Sequence, residues 1–69
     1  MFYIMYKNEF YLIDELSILI IDGYQQCKFH KNIDNAKKFN TENEASEYIT
    51  NNQKNLFIAG TENLTIVSV

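Results

Sequence analysis

The residues of this chain whose types could do chemistry are few: one histidine, one cysteine and a group of carboxylates. His30 and Cys27 stand three positions apart. On a strand such positions point to opposite faces, so the two side chains do not converge on a metal ion. The same geometry denies Cys27 a base. A nucleophilic thiol needs a neighbour that takes its proton, and His30 is the only imidazole in the chain. Cys27 therefore reads as a small core residue and His30 as a surface residue of a hairpin. Glu42, Glu44 and Glu47 raise a third possibility, a general acid/base pair. That chemistry needs a pocket that drives two carboxyl pKa values apart. These three sit on a capped, solvated helix face. Two glycines and no glycine-rich loop leave no phosphate cradle. No cofactor, metal or reaction is implied, and the chain is expected to act by contact and not as an enzyme.

Contact has better support. Tyrosine offers a large rigid surface with a polar tip and is enriched at interfaces. Five tyrosines fall in 69 residues. Tyr3, Tyr11 and Tyr24 are the expected partner-binding aromatics, with Glu42 and Glu47 as an acidic accompaniment from the helix. On a sheet covered by one helix, the other face is expected to stand open and aromatic. The formal charge of −3 and the absence of arginine argue against direct binding of nucleic acid, because phosphate contact needs a basic surface.

One helix must position these residues. Thr41-Glu-Asn-Glu44 matches a capping box, with the Thr41 hydroxyl on the Glu44 N–H and the Glu44 carboxylate reaching back to the Thr41 N–H. Glu42 and Glu44 place negative charge in the first turn, where the helix dipole favours it. Ala45, Tyr48 and Ile49 form one apolar stripe. The helix is expected over about 41–52, ending at Asn51-Asn52. Three turns are too few for stability in isolation, so this helix must dock on a sheet.

The rest of the chain reads as strands. Phe2–Lys7 and Phe10–Ile13 flank a turn at Lys7-Asn8-Glu9, and Asp14-Glu15 breaks the second run. Ser17–Ile21 contains four consecutive aliphatics, which suit a strand covered on both faces or one whose second face meets a partner. Asp22-Gly23 is a two-residue hairpin turn leading into Tyr24–His30, with Cys27 and Phe29 inward and Tyr24, Gln26, Lys28 and His30 on the other face. Ala36-Lys37-Lys38 suits a single helical turn, and Phe39 anchors the approach to the helix. Leu56–Ala59 and Leu64–Val69 complete the set across a turn at 60–63. The last strand must be paired or lie at an edge that can recruit another chain. The expected class is α+β: an antiparallel sheet of about four to six strands with the helix on one face, in a single domain spanning 1–69.

No basic leader precedes an apolar core, and no run approaches the roughly 20 apolar residues of a membrane span. A lone cysteine suits a reducing compartment, so a cytoplasmic location is expected. Lys, Asn, Ile, Tyr and Phe, all with AT-rich codons, make up 34 of the 69 residues, which indicates an AT-rich genome. The segment Ala36-Lys-Lys-Phe-Asn-Thr-Glu-Asn-Glu-Ala-Ser-Glu-Tyr-Ile49, through Ala36, Phe39, Thr41, Glu44 and Ala45, resembles a pattern in small phage-encoded α+β proteins of low-GC Gram-positive hosts. Many of those are uncharacterised, and others are inhibitors of host defence, anti-CRISPR proteins among them. The resemblance implies a phage or mobile-element protein that binds and modulates a host protein, such as a defence nuclease complex, in the host cytoplasm. It transfers no functional residues. The alternative is a self-associating module, a homodimer formed through the sheet face or the last strand.

Overall fold

A computed structural model describes residues 1–69. Four strands and one helix form, with β1 (Phe2–Tyr6), β2 (Phe10–Ile21), β3 (Tyr24–His30), α1 (Glu42–Asn51) and β4 (Leu64–Ser68) in chain order. The sheet is antiparallel throughout, in the order β3-β2-β1-β4. The class is α+β, and β1 at the centre carries the core. Ile4, Leu12, Phe39 and Ala45 form the buried cluster, with Phe2, Cys27, Phe29, Tyr48, Ile49, Leu64 and Ile66 packed around it. Alternation along the strands explains the selection. Register pairs Ile4 with Ile66 and Tyr6 with Phe10, so the even positions of β1, β4 and the start of β2 face α1.

The helix follows its local signals closely. The Thr41 hydroxyl accepts from the Glu44 N–H at 3.1 Å. The Glu44 carboxylate reaches back one residue further than a capping box requires and accepts from the Asn40 N–H at 3.1 Å. Ala45 is fully buried, while Tyr48 and Ile49 lie half-buried against the core. Asn52 closes the helix by donating its side-chain amide to the Tyr48 carbonyl at 2.8 Å.

Both hairpin turns run through left-handed backbone. Asp22 and Gly23 have φ of 51° and 85°, the signature of the type I′ turn that matches strand twist. Lys7 and Asn8 have φ of 51° and 55°; Asn8 tolerates this conformation, whereas Lys7 is strained there.

Three expectations are corrected. Asp14-Glu15 does not break the second strand, because both carboxylates stand in solvent and meet lysines, Asp14 with Lys37 at 3.3 Å and Glu15 with Lys28 at 3.9 Å. The result is one strand of twelve residues. Leu56–Ala59 is not a strand. Gln53–Leu56 is a 3-10 turn, Leu56 points into the core, and its carbonyl accepts from the Gly60 N–H at 2.9 Å. The third concerns Ala36-Lys37-Lys38, which form no helical turn; the 3-10 turn lies earlier, at Ile33–Asn35. Beyond their first pairs β1 and β2 diverge, and the extended 36–39 segment lies between them. It bridges Phe2 through Phe39 on one side and Ile13 through Ala36 on the other. The Phe2 and Phe39 amides and carbonyls exchange two hydrogen bonds of 2.9 Å, and the Lys37 N–H donates to the Leu12 carbonyl at 2.8 Å. This segment satisfies the backbone groups that the splayed hairpin leaves open.

Candidate functional site: a bulged apolar hairpin

A straight strand of twelve residues would run roughly 36 Å at about 3.3 Å per residue. The whole molecule measures only 33 × 23 × 18 Å. That length exceeds the longest dimension of the molecule, and the pairing of β2 is irregular. Leu12 opposes Phe29, Leu16 opposes Cys27 and Ile20 opposes Gln25, so two irregularities separate these pairs. Bulges of this kind re-aim side chains and bend the strand. The backbone they leave unpaired is satisfied locally. The Ser17 hydroxyl accepts from the Leu19 N–H at 3.1 Å, and the Gln25 side chain donates to the Ser17 carbonyl at 3.2 Å.

At the crest of the second irregularity Ile18 is 97% exposed. Leu16, Leu19 and Ile20 beside it are about half exposed, as is Ile58 across from them, and Phe57 is 68% exposed. A groove of about 270 Å³ runs between the hairpin and the 55–59 segment, with Leu19, Phe10, Phe29, Cys27 and Ile58 on its walls. A second recess, of about 230 Å³, lies between Ile21, Tyr24 and Phe57. Single exposed apolar residues are ordinary on a protein surface. Here six of them fall at the end of the β2–β3 hairpin and the adjoining 57–58 turn, a candidate contact surface.

Gln26 holds the two walls together. It is 3% exposed, the one buried polar side chain of the protein. Its side-chain amide donates to the carbonyls of Tyr24 at 3.1 Å and Lys54 at 3.0 Å, and its carbonyl oxygen accepts from the Ile58 N–H at 3.0 Å. Asn55 adds a bond of 2.8 Å to the Gln25 carbonyl. The sequence alternation placed Gln26 outward with Tyr24 and Lys28. That side of β3 is instead covered by residues 53–58, and burial is tolerated because every polar atom of the amide is paired.

The groove's one thiol is Cys27. Burial pushes the Cys27 thiol above its usual pKa, against a smaller opposing effect of the Tyr48 hydroxyl 4.0 Å away. The thiol stays protonated and weakly reactive at neutral pH. The Tyr48 hydroxyl is pushed up to about 12, first by desolvation and then by the neighbouring thiol and Asp14. The His30 Nδ1 accepts from the Asn32 N–H at 3.0 Å and caps the turn after β3. No three His, Cys, Asp or Glu side chains approach closely enough to hold a metal ion.

The five residues expected to bind a partner do not form one surface. Tyr3 is 8% exposed and packs edge-on against Tyr11, with ring centroids 5.9 Å apart. Ile13 on the same sheet face is also buried. That face is thus not the open aromatic platform expected, since Tyr3 and Ile13 on it are buried and Tyr3 packs against Tyr11. Tyr24 does lie at the apolar end of the hairpin, under the Lys54 ammonium, 5.0 Å from the ring centroid. Glu42 and Glu47 are exposed on α1, and Glu47 accepts from the Asn43 side chain at 2.9 Å. The exposed apolar residues at the hairpin end, Leu16, Ile18, Leu19, Ile20, Phe57 and Ile58, lie outside those five. The run Ser17–Ile21 did carry the signal, as a strand with an unmet second face. Phe57 and Ile58 carried none, because their segment read as a strand. No family model, no curated protein and no solved structure matches the chain.

Proposed function

We propose that this chain is a non-enzymatic binding protein that docks on another protein through the bulged end of the β2–β3 hairpin and the adjoining Phe57-Ile58 turn. The observation that carries this reading is the near-complete exposure of Ile18 within a set of exposed aliphatic and aromatic side chains. Leaving an isoleucine of this kind in water forgoes roughly 1.5–3 kcal/mol of burial, a loss that a docked partner recovers. The surrounding rim is lightly charged, with Asp22 and Lys54 beside the second recess, which suits an apolar patch with a polar margin on the partner. The finer reading, a phage protein that inhibits a host protein such as a defence nuclease complex, is supported by the likeness of residues 36–49 described above.

The test compares wild type with Ile18→Glu in a tagged pull-down from nuclease-treated lysate of a low-GC Gram-positive host. The expected result is one protein retained by wild type and lost with the variant, whose circular dichroism and urea midpoint stay unchanged. Equal recovery of that protein by both baits would overturn the assignment of the surface. Recovery of nothing by wild type from a host carrying CRISPR systems counts against the defence-inhibitor reading.

A further inference from the structure

We infer that two copies of this chain pair antiparallel through β4, centred on Ile66, to form a continuous eight-stranded sheet. The inference rests on the backbone of an edge strand and is independent of the hairpin surface. β4 is one of the two edges of the sheet. The Asn63 carbonyl accepts from the Lys7 N–H at 2.9 Å and the Val69 N–H donates to the Met1 carbonyl at 3.1 Å. Antiparallel bonding alternates along a strand, so the odd positions of β4 face β1 and the even positions face outward. Leu64, Ile66 and Ser68 therefore present their peptide groups at the open edge. The Leu64 N–H is already used, since it donates to the Thr61 carbonyl. The Leu64 carbonyl and both peptide groups of Ile66 and Ser68 have no partner within the chain.

The two edges differ. Across β3 lies the 53–58 segment, which takes up the Gln25 carbonyl through Asn55, and β3 carries the exposed cation of Lys28. β4, Leu64-Thr-Ile-Val-Ser68, has no charge and no proline, and it pairs with β1 over five consecutive residues without a bulge. Those are the devices that ordinarily keep an edge from recruiting another strand, and β4 has none of them.

Its pattern is also self-complementary. With Ile66 on the two-fold axis, Ile66 and Ile66 of the second copy exchange two bonds, and each Ser68 N–H meets the Leu64 carbonyl opposite. This register engages every free outward group except the Ser68 carbonyl in four hydrogen bonds. It leaves the occupied Leu64 N–H undisturbed and sets Thr65 against Val67 on the outer face, a favourable β-branched pair. A two-fold contact of this kind closes on itself. The opposing cost is the approach of two α1 helices bearing Glu42, Glu44 and Glu47, which salt screens. The resulting strand order places the two apolar hairpins at opposite ends of the sheet, so the dimer is a bivalent binder.

The experiment is sedimentation equilibrium of the intact chain between roughly 10 µM and 1 mM, the range expected of a small contact, with amide hydrogen exchange at both ends of that range. The expected result is a monomer–dimer equilibrium in which the Ile66 and Ser68 amides exchange roughly tenfold more slowly at the high concentration, while Ile18 to Ile20 are unaffected. Ser68→Pro removes an outward donor and leaves the β1 bonds intact, so it should weaken dimerisation by about tenfold or more. Ile18→Glu should dimerise as wild type does, which separates this proposal from the hairpin reading. A monomer throughout, a dimer protected at residues 16–21, or unchanged dimerisation of Ser68→Pro would each overturn the inference. Protection of Ile66 that appears only when a different protein is added would overturn it equally.

Discussion

Replacing Gln26 by alanine is the most severe test of how the proposed binding surface is built. The side chain makes three hydrogen bonds, and two of them, to the Lys54 carbonyl and the Ile58 N–H, are all that tie the 53–58 turn to the interior of β3 through side-chain atoms of that residue. Each bond contributes about 1 kcal/mol net, and a buried group left without a partner costs about 1–3. These groups are partly buried, so water recovers some of the loss, and the expected cost is roughly 2–4 kcal/mol. A core of this size supplies only about 3–5 kcal/mol. Gln26→Ala should therefore lower the urea midpoint by about 2–4 M at a slope near 1 kcal/mol/M. Far-UV circular dichroism and tyrosine fluorescence would follow the transition. Gln26→Met restores the volume without the bonds and should remain at least 1–2 kcal/mol below wild type. Hydrogen exchange at the Ile58 amide distinguishes local detachment from global loss, since detachment accelerates Ile58 while Ile4 stays protected. A midpoint change equivalent to less than about 0.5 kcal/mol, with the Ile58 amide as slow as in wild type, would refute the reasoning.

Three further outcomes follow from single features. Lys7→Gly should stabilise by up to about 1 kcal/mol in urea denaturation, because Lys7 sits at φ 51°, where glycine is unstrained. Thr41→Ala removes the acceptor for the Glu44 N–H and should cost about 1 kcal/mol, with Thr41→Ser close to wild type. Tyr48 has its folded pKa pushed up to about 12 from 10.0. The folded state then holds a proton that the unfolded state has lost, so this contribution is fully present below pH 10 and is lost as pH rises towards 12. Urea midpoints across that window should fall more steeply for wild type than for Tyr48→Phe, and parallel curves would refute the assignment.

The sequence by itself determined α1, both hairpin turns and the α+β class, because the signals for these are local. A Thr41 hydroxyl three residues from its N–H, an Asp22-Gly23 pair that can adopt positive φ, and an apolar stripe of Ala45, Tyr48 and Ile49 need no distant partner. The apolar run ending at Ile21 was legible too, as a strand with more apolar surface than one sheet face can bury. Tertiary structure decided the rest. Asp14 and Glu15 read as a break until Lys37 and Lys28 stood opposite them, far along the chain. Leu56–Ala59 has the composition of a strand, but β3 holds it as a turn through Gln26, a contact spanning about thirty residues. Tyr3 and Tyr11 had the chemistry of interface residues and became packing for one another, whereas Ile18 had the chemistry of a core residue and was lifted into solvent by a bulge. Burial is a property of the whole chain's arrangement, and no pattern confined to neighbouring residues encodes it.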